Sequence, residues 1–341
     1  MFTSEDIILL VLAMLAVIVT SEVLSRKGAA WGLVARRDLA AGKRIPTAGG
    51  LGFVPGLIGV LLLAGIGSGD WTWFGAAGAT FLLAVLGLID DAIDLPPAVK
   101  LAVEIAICAP VAWLMFGPDE AGKVLLYLLL LVGTINVVNF SDNMDGLAVV
   151  LAGTTAVGAC ICAALRGDAN LVMIAGVAVA ICAAFFVHNR PPARVHMGDT
   201  GSTSLGFTLG LVLAKLLTGD RHAPMGTMAA AVGLLLGVML LDGAQVIAAR
   251  AIIRRPIMPG DRRHLSHRWL TSVLDPGKVL LRLWLPHVVF VAAGVLVFGQ
   301  PQLWVLVGVP MLMTGVVLVH LLWKVPGDEY PKGPPPATAA G

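Results

Sequence analysis

Apolar residues run through this chain in blocks of about 17–25, the length that crosses the hydrocarbon core of a bilayer as a helix. Eleven blocks are candidates: 7–24, 51–67, 72–89, 99–116, 122–138, 147–165, 170–187, 202–218, 225–249, 284–299 and 302–323. Several are short or rich in Gly, as helices that pack closely in membranes are. The block at 202–218 is the weakest of them, with Lys215 near its end. The fold class expected is all-α: a polytopic integral membrane helical bundle of about eleven transmembrane helices. Glu5 and Asp6 precede the first block and no basic stretch does, so an uncleaved first span is expected. Residues 1–324 read as a single transmembrane catalytic domain, and 325–341, rich in Pro, Ala and Gly, as a disordered cytoplasmic tail.

Composition agrees with the pattern. The chain is 58% hydrophobic and 13% charged, with mean hydropathy +0.90. Soluble domains carry about 25% charged residues. The net charge of +2 gives no sign of a nucleic-acid partner. Cys108, Cys160, Cys162 and Cys182 all lie in apolar blocks and read as small core residues, not as a disulfide or metal set.

The positions of the charges say more than their sum. With the N-terminus outside, the segments facing inward carry 19 of the 23 Lys and Arg residues. This asymmetry predicts an N-outside, C-inside topology with an odd number of spans. The same assignment puts every polar cluster on the inner face: Arg44–Gly50, Asp90–Asp94, Asn136–Asp145, His188–Ser202 and Arg250–Arg268. A transporter would place ionisable groups near mid-membrane, and here the span centres look nearly free of them.

Four clusters carry candidate chemistry. Asn136–Asp145 holds three amides and two carboxylates where one apolar block ends and the next begins. That suits a hydrated Mg²⁺ or a nucleotide, although helix caps use the same residue types. Asp90-Asp91-Ala-Ile-Asp94-Leu-Pro-Pro-Ala-Val-Lys100 gathers three carboxylates at the inner end of the third block. They would repel one another without a cation, a basic partner or a role in proton transfer; the alternative is a helix end turning into Pro96-Pro97. His196-Met-Gly-Asp199-Thr-Gly-Ser202 offers a hard oxygen ligand, a tight turn and a cap for the next helix. Asp261-Arg-Arg-His264-Leu-Ser-His267-Arg268 combines two histidines three apart with arginines suited to a diphosphate. An anchor for anionic lipid explains the arginines but less well the histidines. Zinc lacks a nearby Cys or third His. Arg44-Ile-Pro-Thr47-Ala-Gly49-Gly50 is by itself a Pro/Gly turn, and His188 and His287 are given no role. Together the clusters describe an inner-face pocket for Mg²⁺-assisted handling of a nucleotide diphosphate beside a lipid.

Taken in order, Pro-Thr-Ala-Gly-Gly, Asp-Asp-Ala-Ile-Asp-Leu-Pro-Pro-Ala-Val-Lys, Asn-Val-Val-Asn-Phe-Ser-Asp-Asn-Met-Asp-Gly, Met-Gly-Asp-Thr-Gly-Ser and His-Leu-Ser-His-Arg resemble the polyprenyl-phosphate N-acetylhexosamine-1-phosphate transferases of glycosyltransferase family 4, from about residue 44 to 270. The resemblance implies a multi-pass plasma (inner) membrane enzyme with its site facing the cytoplasm. It would move a sugar 1-phosphate from a UDP-N-acetylhexosamine to a polyprenyl phosphate in the inner leaflet. UMP would leave, and a lipid-diphospho-sugar would form to start a cell-surface glycan. The cofactor implied is Mg²⁺, with Mn²⁺ an alternative. By similarity, Asp90, Asp91, Asp142 and Asp145 would be catalytic carboxylates, with Asp90 or Asp91 the candidate base. Asp199 and Asp91 would bind metal. Asn139, Asp142 and Asp145 would hold the nucleotide and metal-site geometry, Lys100 would meet phosphate, and His264, His267 and Arg268 would bind the donor. Direct attack by the lipid phosphate and a two-step route through an Asp both fit these residues.

Within the resemblance, the last motif and the Asp94-Leu-Pro extension look more like the branch that uses UDP-N-acetylglucosamine with undecaprenyl phosphate. The branch that takes UDP-N-acetylmuramoyl-pentapeptide is the alternative. Asn143, His196 and Ser266 depart from the usual pattern, where Gly, Phe and His are common, and bear on the sugar more than on the reaction. A membrane transporter of nucleotide sugars or lipids is the competing class. A homodimer is compatible with a polytopic enzyme, and nothing in the sequence demands one.

Overall fold

A computed structural model describes residues 4–34, 42, 44–218, 224–252, 264–309, 311 and 313–316. The described residues form helices joined by short turns. They are α1 (Ser4–Lys27), α2 (Val54–Ser68), α3 (Trp71–Ile93), α4 (Pro97–Phe116), α5 (Ala121–Ser141), α6 (Leu147–Arg166), α7 (Ala169–Asn189), α8 (Gly198–Thr218), α9 (Met225–Ile252), α10 (Leu265–Val273) and α11 (Pro276–Gly299). A 3₁₀ turn, Gly49–Gly52, leads into α2. Ten helices among the described residues are long and apolar enough to cross a membrane, the short α10 being the exception. The eleventh expected block, 302–323, is described only to residue 316; it opens with a 3₁₀ turn and the wide turn Trp304–Gly308. The tail 325–341 and residues 253–263, with Arg254, Arg255, Asp261, Arg262 and Arg263, lie outside the described residues.

Local signals explain where the helices begin. Asp70 and Asp168 cap α3 and α7 by accepting from the backbone N–H of Thr72 (2.9 Å) and Leu171 (3.0 Å). Asp275 accepts from Lys278 N–H at 3.1 Å, with Pro276 in the first turn of α11. Large apolar side chains such as Ile7, Ile8, Leu12 and Leu15 stand exposed along α1, as lipid-facing residues do.

The weakest block in the sequence becomes the centre of the bundle. α8 is almost wholly buried and packs against α3, α5, α6, α7 and α9. Three of its hydroxyls are satisfied within the helix: Thr203 donates to Asp199 O (2.6 Å), Ser204 to Thr200 O (2.7 Å) and Thr208 to Ser204 O (2.9 Å). A helix polar enough to look doubtful as a lipid-facing span is therefore comfortable inside protein. Close approach does the rest. A Cβ on Gly87 would stand 2.4 Å from the backbone of Asp199, and one on Gly50 only 2.1 Å from the nitrogen of Gly201. α8 also starts earlier than the expected 202. Ser202 therefore lies inside the helix and does not cap it.

The far end of α8 is closed by polar contacts. Arg166 Nη1 donates to Lys215 O at 2.6 Å, and Lys215 Nζ lies 3.5 Å from Asp70 Oδ2 and 4.8 Å from the centre of the Trp73 ring. Tyr127 and Thr218 hydroxyls bond to each other nearby.

Candidate active site

At the near end of α8 the helix is capped from another helix. The carboxylate of Asp91, in the last turn of α3, accepts from Asp199 N–H at 3.0 Å and lies 3.5 Å from Thr200 N. This places a negative group on the positive end of the helix dipole. Gly198 makes the turn possible with φ 70°. A Cβ there would stand 1.9 Å from Thr47 O and 2.5 Å from Asp91 Oδ2. The Pro/Gly segment is thus more than a turn: His196 N–H donates to Pro46 O (2.8 Å), Gly49 N–H to His196 O (3.1 Å) and Gly50 N–H to Met197 O (2.9 Å). Two segments far apart in sequence lie side by side and hold Asp199 where α8 begins.

Around Asp199 the expected residues converge. Lys100 Nζ stands 2.8 Å from Asp90 Oδ2 and 3.3 Å from Asp199 Oδ1. Asn139, in the last turn of α5, donates to Asp199 Oδ1 at 2.5 Å and to Ser202 Oγ at 2.9 Å. Asp90 Oδ1 accepts from Leu95 N–H at 2.7 Å, which ties the Asp90–Asp94 corner to the start of α4. One turn beyond Lys100, Glu104 is 1% exposed. Its Oε2 accepts from Asn136 at 2.8 Å, and its Oε1 is buried without a hydrogen-bond partner. Asp90 and Asp199 therefore share the ammonium of Lys100, with Glu104 one turn further along α4 and Asp91 turned to the start of α8.

Asp142 and Asp145 bracket the turn between α5 and α6. Asp142 is the C-cap of α5 and donates its N–H to Asn139 O at 3.1 Å. Asp145 Oδ2 accepts from Ala193 N–H at 2.9 Å, and its Oδ1 lies 3.6 Å from His196 Nε2. Asn189 fastens the same corner, accepting from Gly146 N–H (3.0 Å) and donating to Val195 O (2.9 Å).

The basic segment joins from the other side. His264 is the N-cap of α10, and the His264 and His267 rings lie 6.0 Å apart, centre to centre. Arg268 is buried on the same short helix and donates its N–H to His264 O at 3.0 Å. Ser266 Oγ donates to Asn143 Oδ1, which links this segment to the Asn139–Asp145 turn.

All ten expected residues thus lie at one end of the bundle. Asp90, Asp91, Lys100, Asn139 and Asp199 form one connected group, and Asp142 and Asp145 flank it. His264, His267 and Arg268 stand beyond Asn143. Sequence reasoning missed Asp242 in α9, which is buried and bonded to His264 and Leu265. The expectation that span centres were nearly free of ionisable groups hid the signal, since a lone carboxylate inside an apolar block is costly and marks function. His188 and His287 also have partners. His188 Nε2 meets Glu22 Oε2 at 2.9 Å, and His287 bonds within the bundle.

The donor set is one of hard oxygens, which fits Mg²⁺ and not a soft metal. Among the described residues no three acidic or histidine side chains already meet at ligand distance. Mg²⁺ binds through one or two carboxylates and keeps its other positions for water and substrate phosphate. Asp199 with Asp91, the pair expected from the sequence, would hold it, and the structure sets Asp90 and Asp199 on the Lys100 ammonium beside them.

Comparison with known proteins points the same way. The model of glycosyl transferase family 4 matches residues 73–217, from α3 to α8. The chain is 25% identical over 301 residues to a probable undecaprenyl-phosphate N-acetylglucosaminyl 1-phosphate transferase of Bacillus subtilis (strain 168), covering 84% of this chain and 81% of that one. It is 30% identical over 286 residues to the decaprenyl-phosphate N-acetylglucosaminephosphotransferase of Mycolicibacterium smegmatis, covering 73% and 70%. It is 36% identical over 209 residues to a phospho-N-acetylmuramoyl-pentapeptide-transferase of Synechococcus sp. (strain JA-3-3Ab), covering 54% and 59%. The matched region contains the helices that bring Asp90, Asp91, Lys100, Asn139 and Asp199 together, and the likeness extends over most of the bundle: the chain belongs to glycosyl transferase family 4.

Proposed function

We propose that this protein transfers N-acetylglucosamine 1-phosphate from a UDP-sugar to undecaprenyl phosphate, releasing UMP, at the cytoplasmic face of the plasma membrane. The family supports sugar-phosphate transfer to a polyprenyl phosphate; the sugar, the leaflet and the requirement for Mg²⁺ are our reading. The observation that carries it is the convergence of residues 46–50, 90–100, 139–145 and 196–202 on one cluster, at one end of a membrane bundle. The distribution of Lys and Arg favours placing that end inside. Two relatives that match over most of this chain carry N-acetylglucosamine in their names, which favours that sugar over the muramoyl-pentapeptide.

The chemistry follows from charge. A phosphate monoester has a second pKa of about 6, so the acceptor is largely a dianion at neutral pH and already nucleophilic. The harder task is to bring it in line with a diphosphate that repels it. Lys100, held by Asp90 and Asp199, offers an ammonium at the bilayer edge for the acceptor phosphate. One carboxylate of the Asp90–Asp91 pair accepts the acceptor's residual proton. Asp91 caps α8 and so fixes Asp199. His264, His267 and Arg268 offer cationic and hydrogen-bonding groups to the donor diphosphate, and Asn139, Asp142 and Asp145 hold the nucleotide. Asp199, with Asp91 or Asp90, would hold Mg²⁺, which would supply positive charge against the phosphate oxygens.

The test is turnover of purified protein in detergent with UDP-N-acetylglucosamine, undecaprenyl phosphate and Mg²⁺, identifying the nucleotide set free. UMP with an acid-labile lipid-linked sugar is expected. UDP would mean ordinary glycosyl transfer and would defeat the mechanism. UMP only with the muramoyl-pentapeptide donor would move the chain to that specificity.

A further inference from the structure

Asp242 is a carboxylate inside a membrane helix, 5% exposed, and both its oxygens are engaged. Oδ2 lies 2.8 Å from His264 Nδ1, and Oδ1 accepts from Leu265 N–H at 2.7 Å, the first amide of α10. Asn143 completes the group. Its Nδ2 donates to Phe140 O at 2.6 Å and lies 3.5 Å from Asp242 Oδ2, while its Oδ1 accepts from Ser266. His264 and Ser266 are themselves buried. An ionised carboxylate can only accept, so Nδ1 of His264 carries the proton that it shares with Asp242. The ring is left with a fixed tautomer, a fixed orientation and one nitrogen, Nε2, for other work.

The position of Asp242 is fixed in turn. α9 breaks at Gly237, with φ 27° and ψ −110°, and Asp242 lies on the half that follows. The groups freed by the break are taken up by neighbours. Thr155 Oγ1 donates to Leu235 O at 2.7 Å, Val238 N–H donates to His287 Nδ1 at 3.3 Å, and His287 Nε2 donates to Leu151 O at 3.0 Å. α6 and α11 therefore brace the bend that aims the second half of α9 at α10.

We propose that Asp242 is a positioning residue for the transfer reaction. It holds His264 with Nε2 available to the donor diphosphate. Through Asn143 and Ser266 it also locks the His264–Arg268 segment to the Asn139–Asp145 turn, so the two halves of the donor site act as one unit. The inference rests on the reading above that His264 meets the donor.

The experiment is a double-mutant cycle on full-length protein, reading UMP release against donor and lipid concentration, with thermal melting in detergent alongside. Asp242→Asn keeps the size and the cap on Leu265 but favours the other tautomer of His264. It is expected to lower kcat/KM for the donor by about 10–100-fold, leaving the lipid KM within about twofold. In a His264→Ala background the same change is expected to cost almost nothing further. Wild-type kinetics in Asp242→Asn, or a loss that adds fully to that of His264→Ala, would overturn the proposal. Wild-type kinetics in His264→Ala alone would instead sink the donor-site reading on which it stands. Should Asp242→Asn not survive extraction, Ser266→Ala carries the test. A raised donor KM with an unchanged melting temperature supports the lock, and an unchanged donor KM in folded protein overturns it.

Discussion

Gly198→Ala places a single methyl group where the structure has no room for one. Gly198 has φ 70°, in the left-handed region, where an L-residue costs about 1–2 kcal/mol. The new Cβ would lie 1.9 Å from the carbonyl oxygen of Thr47. Carbon–oxygen contacts settle near roughly 3.3–3.6 Å, so one backbone segment must retreat by about 1.5 Å. Overpacking of this kind costs about 1–3 kcal/mol more. The sum, about 2–5 kcal/mol, is survivable for a domain stable by about 5–15 kcal/mol, so folded protein is expected with a lower melting temperature.

The larger effect is on position. Thr47 is fastened by its N–H to Leu33 O at 2.9 Å, and Gly49 and Gly50 bond to His196 and Met197 carbonyls. The displaced methyl therefore pushes on the first turn of α8 and on Asp199, the next residue. A misplacement of about 1 Å can cost about 10²-fold in rate. UMP release is the assay, with melting in detergent to separate folding from function. Gly59→Ala is the control, since a Cβ there meets nothing within 4 Å and Ala is the better helix former. Gly198→Ala turning over within roughly threefold of wild type would refute the claim that Asp199 must sit where Gly198 holds it.

Two further outcomes are expected. Asp199→Asn should abolish Mg²⁺-dependent turnover while the protein stays folded, because the amide still accepts from Asn139 and only the charge is lost; full activity in that variant would remove Asp199 from the metal site. Thr155→Val removes the hydroxyl that satisfies Leu235 O beside the break in α9. It should lower stability by about 1–3 kcal/mol, read as a drop in melting temperature, and an unchanged melt would show that the break needs no brace.

The spans were legible because each is set by length and hydropathy, which are local. Ten of the expected blocks correspond to described helices, with ends shifted by a few residues, except that α11 begins at Pro276 and so takes in Lys278 and Arg282, which the sequence reading left in the loop before 284. The site was legible for a different reason: Asp, Asn and His stand out against so apolar a background. What the sequence hid depends on contacts between distant segments. Nothing local says that Pro46–Gly50 runs beside His196–Met197, or that Asn143 meets Ser266 across more than a hundred residues. α8 looked doubtful because Lys215 lies near its end, whereas in the fold that ammonium meets Asp70 and the Trp73 ring. Asp242 was overlooked because one acid in a long apolar block scarcely changes the average, although its burial is far from neutral.

The placement of the chemistry follows from what a bilayer allows. Backbone groups cannot be left open in hydrocarbon, so irregular segments are confined to helix ends or to protein interior. Here α3, α5 and α7 end, and α4, α6 and α8 begin, around the same volume. Two amides at the α8 N-terminus face Asp91, which anchors Asp199 but adds another negative charge. Asp90 and Asp199 share Lys100 with Asp91 and Glu104 close by, a concentration of carboxylates that opposes a substrate phosphate. On our reading the balance is restored only as a unit. Asp199 would hold a divalent cation, and Asp242 holds the His264–Arg268 segment toward the donor. Asn143, bonded to Ser266 and adjoining Asp142, ties those two roles to one turn of chain. Loosening Asp242 should therefore weaken donor use even though it touches none of the residues around Lys100.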